Sequence, residues 1–172
     1  MQKFEIVRFG PYRFMGKSVY ARAGMKCGDG NFAGFLWENF YFDELDELKK
    51  YATDYRHNAA LLTWNKYDAK INTDYTGLHV GPTNLLGYTI GRFMKVDTPT
   101  DLVHFRDGLD YFDIPETYVA IGTFDKETGN EEGLVKNAIS EQGECTVRSD
   151  KFMVEMGLDN GFCYIIACDK KE

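Results

Sequence analysis

The sequence predicts an α+β fold of two βαββ units, related by a pseudo-two-fold axis, whose antiparallel sheets form a ligand cleft. Three observations lead to this prediction. The order strand, helix, strand, strand occurs twice along the chain. Residues 87–90 (Gly-Tyr-Thr-Ile) loosely resemble residues 163–166 (Cys-Tyr-Ile-Ile). A chain of 172 residues suits one domain of two small repeats. We therefore predict a single domain over 1–172, with halves at about 1–96 and 110–172.

The first half carries the strand and helix patterns of one unit. Strand formers predict strands at 4–9 and 17–23, and Gly10-Pro11-Tyr12-Arg13 predicts a bend between them. Apolar residues near helical spacing predict a helix over roughly 32–53. Two further strands are predicted at 59–64 and 87–94.

Two segments of this half have no regular pattern. Residues 65–86 contain Gly77, Gly81 and Pro82 and predict a long loop, with or without a short strand at 75–80. Loops of this length are often lids or binding loops. Residues 95–112 hold Pro99, Gly108 and four Asp, and predict a linker between the halves.

The second half repeats the order. A strand is predicted at 117–122, followed by a helix that Asn130 starts and Gly143 stops. Glu131 and Glu132 fall in the first turn of that helix, where acids suit its dipole. Strands at about 151–157 and 162–168 complete the unit, and a groove between two such units is a natural ligand site.

Composition excludes several classes of function. The net charge of −7 argues against direct nucleic-acid binding, which needs a clustered basic surface. No apolar run is long enough for a membrane span, and the N-terminus lacks a signal-peptide core, so we expect a cytoplasmic protein. The cysteines and histidines form no metal motif, and no nucleotide or nucleophile motif is present, so we predict neither metal nor cofactor. Aromatic residues make up 15% of the chain, which hints at a pocket.

Glu155 is the acid of greatest interest. It lies in the otherwise apolar stretch Phe152-Met153-Val154-Glu155-Met156, where alternation puts Met153, Glu155 and Gly157 on one face of a strand. From the pattern alone, Glu155 either faces water or faces an aromatic groove. In a groove it would have a raised pKa through loss of solvation, or it would pair with a cationic ligand.

Three segments resemble the GyrI-like proteins, the small-molecule-binding domains that are also fused to AraC-type and MerR-type multidrug transcription regulators. Residues 14–23 resemble the opening strand of that family, and residues 86–93 resemble its third strand. The most specific segment is Ile114-Pro115-Glu116-Thr117-Tyr118, which is similar to the family's Ile-Pro-x-x-Tyr entry into the second half. The resemblance covers most of the chain in the right order and implies a duplicated βαββ fold with a ligand cleft.

The resemblance also implies site residues. Glu155 falls where the family has its central glutamate, at the bottom of the cleft, and Tyr118 matches the family tyrosine. Trp37 and Tyr88 match aromatic positions near the cleft, although each is as readily explained by core packing. One departure stands out, because the family commonly has Tyr two residues after the glutamate and this chain has Gly157.

The sequence is compatible with three functions. The first is a stand-alone binding module, a sensor or sequestering protein in which Glu155 neutralises a lipophilic cation among Trp37, Tyr88 and Tyr118. Because the sequence opens on a strand pattern, we expect a stand-alone form whose effect on transcription would need a protein partner, and a homodimer is also compatible with it. The second is a hydrolase that opens cyclopropane rings, with Glu155 and Tyr118 as catalytic residues. The third is a structural domain whose groove its own side chains fill.

Overall fold

The computed structural model describes residues 4–22, 26–27, 30–31, 37, 48–53, 59–64, 85–100, 109–125, 132–148, 151–158 and 161–171. One α-helix is described, α1 (Glu132–Gln142), and one 3₁₀ turn (Lys49–Tyr51). The described strands are β1 (Glu5–Phe9), β2 (Tyr12–Arg22), β3 (Lys26–Cys27), β4 (Gly30–Asn31), β5 (Ala59–Trp64), β6 (Leu85–Lys95), β7 (Leu109–Ile114), β8 (Thr117–Asp125), β9 (Cys145–Val147), β10 (Met153–Leu158) and β11 (Gly161–Lys170).

Among the described residues, nine strands form one antiparallel sheet. Eight of them run in the order β1-β8-β11-β10-β5-β6-β2-β7, while β9 pairs with β11, and β3 and β4 form a separate hairpin. The first unit contributes β5, β6 and β2 to one side of the sheet. The second unit contributes β10, β11 and β8 to the other side. The α+β fold with antiparallel strands is therefore as predicted.

The outermost strands are exchanged between the two units. β1 is joined to β2 by Gly10 and Pro11 alone, yet β1 pairs with β8 at the far side of the sheet. β7 likewise leads into β8 through Pro115 and Glu116, yet pairs with β2. Because these turns are short and the strands that they join are far apart in the sheet order, the sheet must curl. The curl brings the two turns together, and a Cβ at Gly10 would lie 3.2 Å from the Pro115 carbonyl oxygen.

The curl gives the sheet an inner and an outer face. On the inner face, aromatic side chains from distant strands meet, and the rings of Phe9 on β1 and Phe93 on β6 lie 5.3 Å apart at their centroids. The outer face carries α1, whose Val135 and Ile139 are buried against the sheet. Tyr88, Met153 and Tyr164 belong to one core with this helix, while Met15 and Met94 form a separate cluster with Leu48. Burial of apolar surface on both faces stabilises the curled sheet.

The pseudo-two-fold axis follows from the strand registers. Residues that lie opposite one another on successive strands form a row across the sheet. Lys17 is the sixth residue of β2, and its row runs through Ile90 on β6 to Ala60 on β5. Gly122 is the sixth residue of β8, and its row continues across β11 and β10 through Tyr164 to Glu155. Glu155 and Ala60 are directly opposite each other, so the axis passes between them.

A second pair of rows shows which residues of the two units are structurally equivalent. Tyr88 of the first unit is equivalent to Phe162 of the second, because each lies opposite the eighth residue of β2 or β8, Val19 or Phe124. The sequence similarity between 87–90 and 163–166 is thus displaced by two residues from the structural equivalence.

Several sequence predictions differ from the structure. The predicted linker at 95–112 includes the start of β7, which pairs with β2 from Leu109 onward. β7 is an edge strand of only six residues, its apolar residues are interrupted by Asp110 and Asp113, and Pro115 follows it, so its composition favours a linker. The bend predicted at 10–13 is confined to Gly10 and Pro11, since β2 already begins at Tyr12.

Other predictions are confirmed or lie outside the description. Gly143 has a φ of +79° directly after α1, which is the conformation expected of a glycine that ends a helix. Trp37 is helical, as predicted, but most of the predicted helix over 32–53 lies outside the described residues. The same holds for nearly all of the 65–86 loop, for Asn130 and for the three histidines.

Candidate functional site

Glu155 occupies the centre of the outer face. It lies on β10, the strand that meets β5 at the junction of the two units, and it is partly exposed. Its neighbours in the same row are Ala60, which is fully buried, and Tyr164 on β11, also fully buried. The alternation of β10 places Met153 and Gly157 on the same face, as the sequence pattern predicts.

Tyr88 and Trp37 form a hydrogen-bonded chain that ends on Glu155. The Trp37 indole N–H donates to the Tyr88 hydroxyl at 2.8 Å, and that hydroxyl lies 3.3 Å from Oε2 of Glu155. An indole nitrogen can only donate, so the Tyr88 oxygen accepts from Trp37. The single proton of the hydroxyl is then directed to the Glu155 carboxylate.

The surroundings keep this hydroxyl protonated. Tyr88 is only 2% exposed, on β6, and burial together with the nearby charge of Glu155 raises its pKa far above the ordinary value. Its hydrogen bond from Trp37 acts in the opposite direction and is the smaller effect. Tyr88 is thus a neutral donor toward Glu155 and is unsuited to act as a base.

Trp37 is the solvent-exposed end of this series of hydrogen bonds. Its side chain is 37% exposed, which is unusual for so large an apolar residue. Its indole reaches across 51 residues of sequence to Tyr88. The structure therefore brings together Glu155, Tyr88 and Trp37, three of the residues that the sequence singled out.

The fourth residue, Tyr118, lies elsewhere on the outer face. It is opposite Cys168 on β11, four residues along that strand from the Tyr164 row. Tyr118 is thus about 10 Å sideways and about 13 Å along the strands from Glu155. Arg8 lies 5.6 Å from its ring centroid and Lys170 5.7 Å from it, and the Arg8 hydrogen bond to its hydroxyl lowers the pKa of Tyr118.

Tyr118 has a structural counterpart in the first unit. It stands on β8 where Arg13 stands on β2, as the second residue of each strand. Arg13 makes a two-pronged ion pair with Asp113 of the exchanged strand β7, at 2.7 and 2.9 Å. Tyr118 accepts a single 3.5 Å hydrogen bond from Arg8, the residue opposite it on the exchanged strand β1. Both residues link an exchanged strand to the sheet.

The family resemblance put Tyr88 near the cleft of Glu155, but it did not predict the direct hydrogen bond between the two residues. The two residues are 67 positions apart, and their strands are separated by β5. Their proximity follows from the registers of β6, β5 and β10, which no local pattern specifies. Apart from the resemblance, the signal in the residues themselves was that each lies in the middle of an apolar strand.

We find no candidate metal site among the described residues. They contain no group of three His, Cys, Asp or Glu side chains placed to hold a metal ion. Cys145 and Cys168 are buried free thiols in contact beneath α1, and burial is the main cause that raises the pKa of Cys168 to about 12. Within the same residues, no helix has the length and apolar character to cross a membrane.

Comparisons with known proteins find matches among solved structures alone. No family model and no curated protein matches the sequence. The structure of SAV2435 bound to tetraphenylphosphonium is similar over 97% of this chain and 94% of that chain, with a TM-score of 0.67 and 10% identity. An integron cassette protein from the mobile metagenome of Vibrio cholerae is similar over 98% and 99%, with a TM-score of 0.54 and 15% identity.

A third structure is a proposed bacterial transcription regulation protein from Staphylococcus aureus MU50. It is similar over 98% of this chain and 99% of that chain, with a TM-score of 0.56 and 10% identity. At such identities these likenesses establish a common fold. They extend over essentially the whole chain, both units included.

Proposed function

We propose that this protein binds small lipophilic aromatic cations on the outer face of the sheet, with the positive charge of the ligand against Glu155. The observation that carries the proposal is the position of Glu155. It is a partly exposed carboxylate at the junction of the two units, and it accepts a hydrogen bond from a buried tyrosine.

The electrostatics of the site favour a cation. Tyr88 donates a hydrogen bond to Glu155 and is itself neutral, so it stabilises the ionised carboxylate and leaves its negative charge in place. Aromatic faces attract cations by roughly 0.5–2 kcal/mol for a good contact. Trp37 offers an exposed aromatic surface one hydrogen bond away from Tyr88.

The comparisons supply the probe. The similar structure SAV2435 was solved with tetraphenylphosphonium, a permanent cation surrounded by four aromatic rings. A permanent cation is useful here because its own charge does not change with pH. We therefore expect tetraphenylphosphonium to bind this protein at micromolar concentration.

Glu155→Gln tests the role of the carboxylate. The substitution keeps the size of the side chain and removes its charge, so tetraphenylphosphonium affinity should fall at least tenfold, about 1.4 kcal/mol. Isothermal titration calorimetry measures the affinity. Glu144→Gln is the matched control, since Glu144 is exposed between α1 and β9, and it should leave the affinity unchanged.

A neutral ligand of similar shape completes the design. Wild-type protein should prefer tetraphenylphosphonium to triphenylphosphine oxide, and Glu155→Gln should remove the preference. Equal affinities of wild-type and Glu155→Gln proteins for the cation would contradict the proposal.

The hydrolase hypothesis assigns Glu155 and Tyr118 to one reacting ligand. The described contacts of Tyr118 are with Arg8 and Lys170, far along the sheet from Glu155. Binding without turnover is therefore the function we propose, as a sensor or sequestering protein. Incubation with a cyclopropane-containing alkylator, followed by a search for ring-opened product, tests the hydrolase prediction directly.

A further inference from the structure

We propose that the space over Gly157 is the subsite for the bulky aromatic part of the ligand whose charge faces Glu155. This inference rests on the proposed function and adds the direction in which the ligand extends. It also defines the ligand class more narrowly, as a cation with an aromatic group within about 7 Å of its charge, one two-residue repeat of a strand.

Gly157 is the next residue after Glu155 on the same face of β10. It is exposed, and a Cβ placed on it would meet no described atom within 4 Å. Its φ is not in the left-handed region, so the backbone does not require glycine there. Among the described residues, the absence of a side chain thus leaves room beside the carboxylate.

The opposite side of Glu155 is filled. Two residues in the other direction along β10 lies Met153, and its row continues through Leu62 to Tyr88. Leu62 is 5% exposed and Tyr88 2% exposed, while Met153 is 1% exposed. A ligand held at Glu155 therefore meets packed side chains on this side.

The pseudo-two-fold axis relates the filled side and the open side of Glu155, so their residues can be compared position by position. Leu62 of the first unit is equivalent to Gly157 of the second, because Leu62 lies opposite Tyr88 and Gly157 lies opposite Phe162. Two equivalent positions that flank the axis thus carry a leucine on one side and no side chain on the other. The space over Gly157, which we call the open half-site, therefore results from a single residue, the glycine at position 157.

Phe162 provides the wall of this half-site. It is partly buried against the outer-face core and lies directly opposite Gly157 on β11. Side chains at opposite positions of an antiparallel pair have Cβ atoms about 5 Å apart. A ring placed over Gly157 would therefore contact the Phe162 ring while its attached cation faces Glu155.

Gly157→Leu tests the subsite by giving it the residue of the equivalent position. Tetraphenylphosphonium affinity should fall at least tenfold, because the leucine occupies the space of an aromatic ring. Tetramethylphosphonium carries the same charge without rings, and its affinity should change less than twofold. Calorimetric titration of both cations into both proteins gives the comparison.

Two further variants separate the possible outcomes. Gly157→Ala should lower tetraphenylphosphonium affinity less than Gly157→Leu does, and it serves in place of the larger substitution if the melting temperature of Gly157→Leu falls. Glu155→Gln should weaken both cations. Unchanged tetraphenylphosphonium affinity in Gly157→Leu, or equal losses for the two cations, overturns the subsite and leaves the proposed function standing. Failure of wild-type protein to bind either cation overturns the proposed function.

Discussion

At the scale of single residues, the hydrogen bonds of the site have a fixed direction. Trp37 donates to Tyr88, and Tyr88 donates to Glu155, since the indole has no acceptor. The buried hydroxyl cannot reverse its role while this chain is intact. Glu155 is thereby supported in its ionised form by a donor that brings no positive charge to compete with a ligand.

Tyr88→Phe should change the pH dependence of binding more than the maximal affinity. Without the donor, ionised Glu155 is less favoured, so the acid midpoint of tetraphenylphosphonium binding should move to higher pH. Because burial raises the pKa of Tyr88, its hydroxyl keeps its proton up to pH 9, and wild-type protein should show no alkaline loss of affinity up to that pH. Titrations between pH 4 and 9 measure both effects.

Other polar and charged groups near Glu155 are unchanged in the Tyr88→Phe variant. Tyr164 is opposite Glu155 on β11, while Lys17 on β2 and Arg92 on β6 share its face, and all three remain in the variant. Tyr111→Phe removes an exposed phenol at the edge of the sheet and should leave the midpoint unchanged. An identical midpoint in wild-type and Tyr88→Phe proteins would show that the donor does not support the carboxylate.

At the scale of elements, the end of α1 is fastened to the start of β1. The Gln142 side chain accepts from the Phe4 backbone N–H at 2.9 Å and donates to the Phe4 carbonyl at 2.7 Å. This is the pattern by which a neighbouring strand would satisfy both backbone groups. It holds the fully buried Phe4 ring against the Gly122 position.

Gln142→Ala should destabilise the fold without altering the site. Two partly buried hydrogen bonds are lost, so the free energy of unfolding should fall by about 1–3 kcal/mol. Urea denaturation measures the change, and Glu141→Ala at the adjacent exposed position of α1 should have little effect. Equal losses for the two variants would contradict a specific role for the Gln142 hydrogen bonds.

The predictability of the elements depended on how much of each strand is buried. β6, β8 and β11 are long apolar strands, and sequence patterns located all three. β7 and β9 escaped detection, β7 because its edge position tolerates Asp and an exposed Tyr111, and β9 because it has only three residues. Alternation was sufficient to put Glu155 on one face of β10, but register between strands decided which aromatic residue it meets.

At the scale of the whole molecule, the curl of the sheet depends on a close approach of two glycines. Gly16 of β2 and Gly91 of β6 are directly opposite each other on the inner face. A Cβ at Gly91 would fall on the Met15 carbonyl oxygen and 2.8 Å from the Gly16 Cα. Glycine in a strand interior often marks such a bend or close backbone approach.

Gly91→Ala should therefore be strongly destabilising. The added methyl group forces the backbones of β2 and β6 apart, at a cost of about 3 kcal/mol or more. Gly157→Ala is the matched control, because a Cβ there meets no described atom, and its stability should be unchanged or slightly higher. Thermal and urea unfolding of both variants measure the difference, and similar stabilities would contradict this account of the curl.

The exchange of β1 and β7 has a consequence for the order in which the chain is made. When the ribosome has completed residues 1–96, β1 has no native partner, because β8 is still to be synthesised. β2 likewise has an open edge until β7 follows. The nascent first half thus exposes strand edges that can pair with other chains, and the native pairing of both halves is complete only after β11, which ends at Lys170, has emerged.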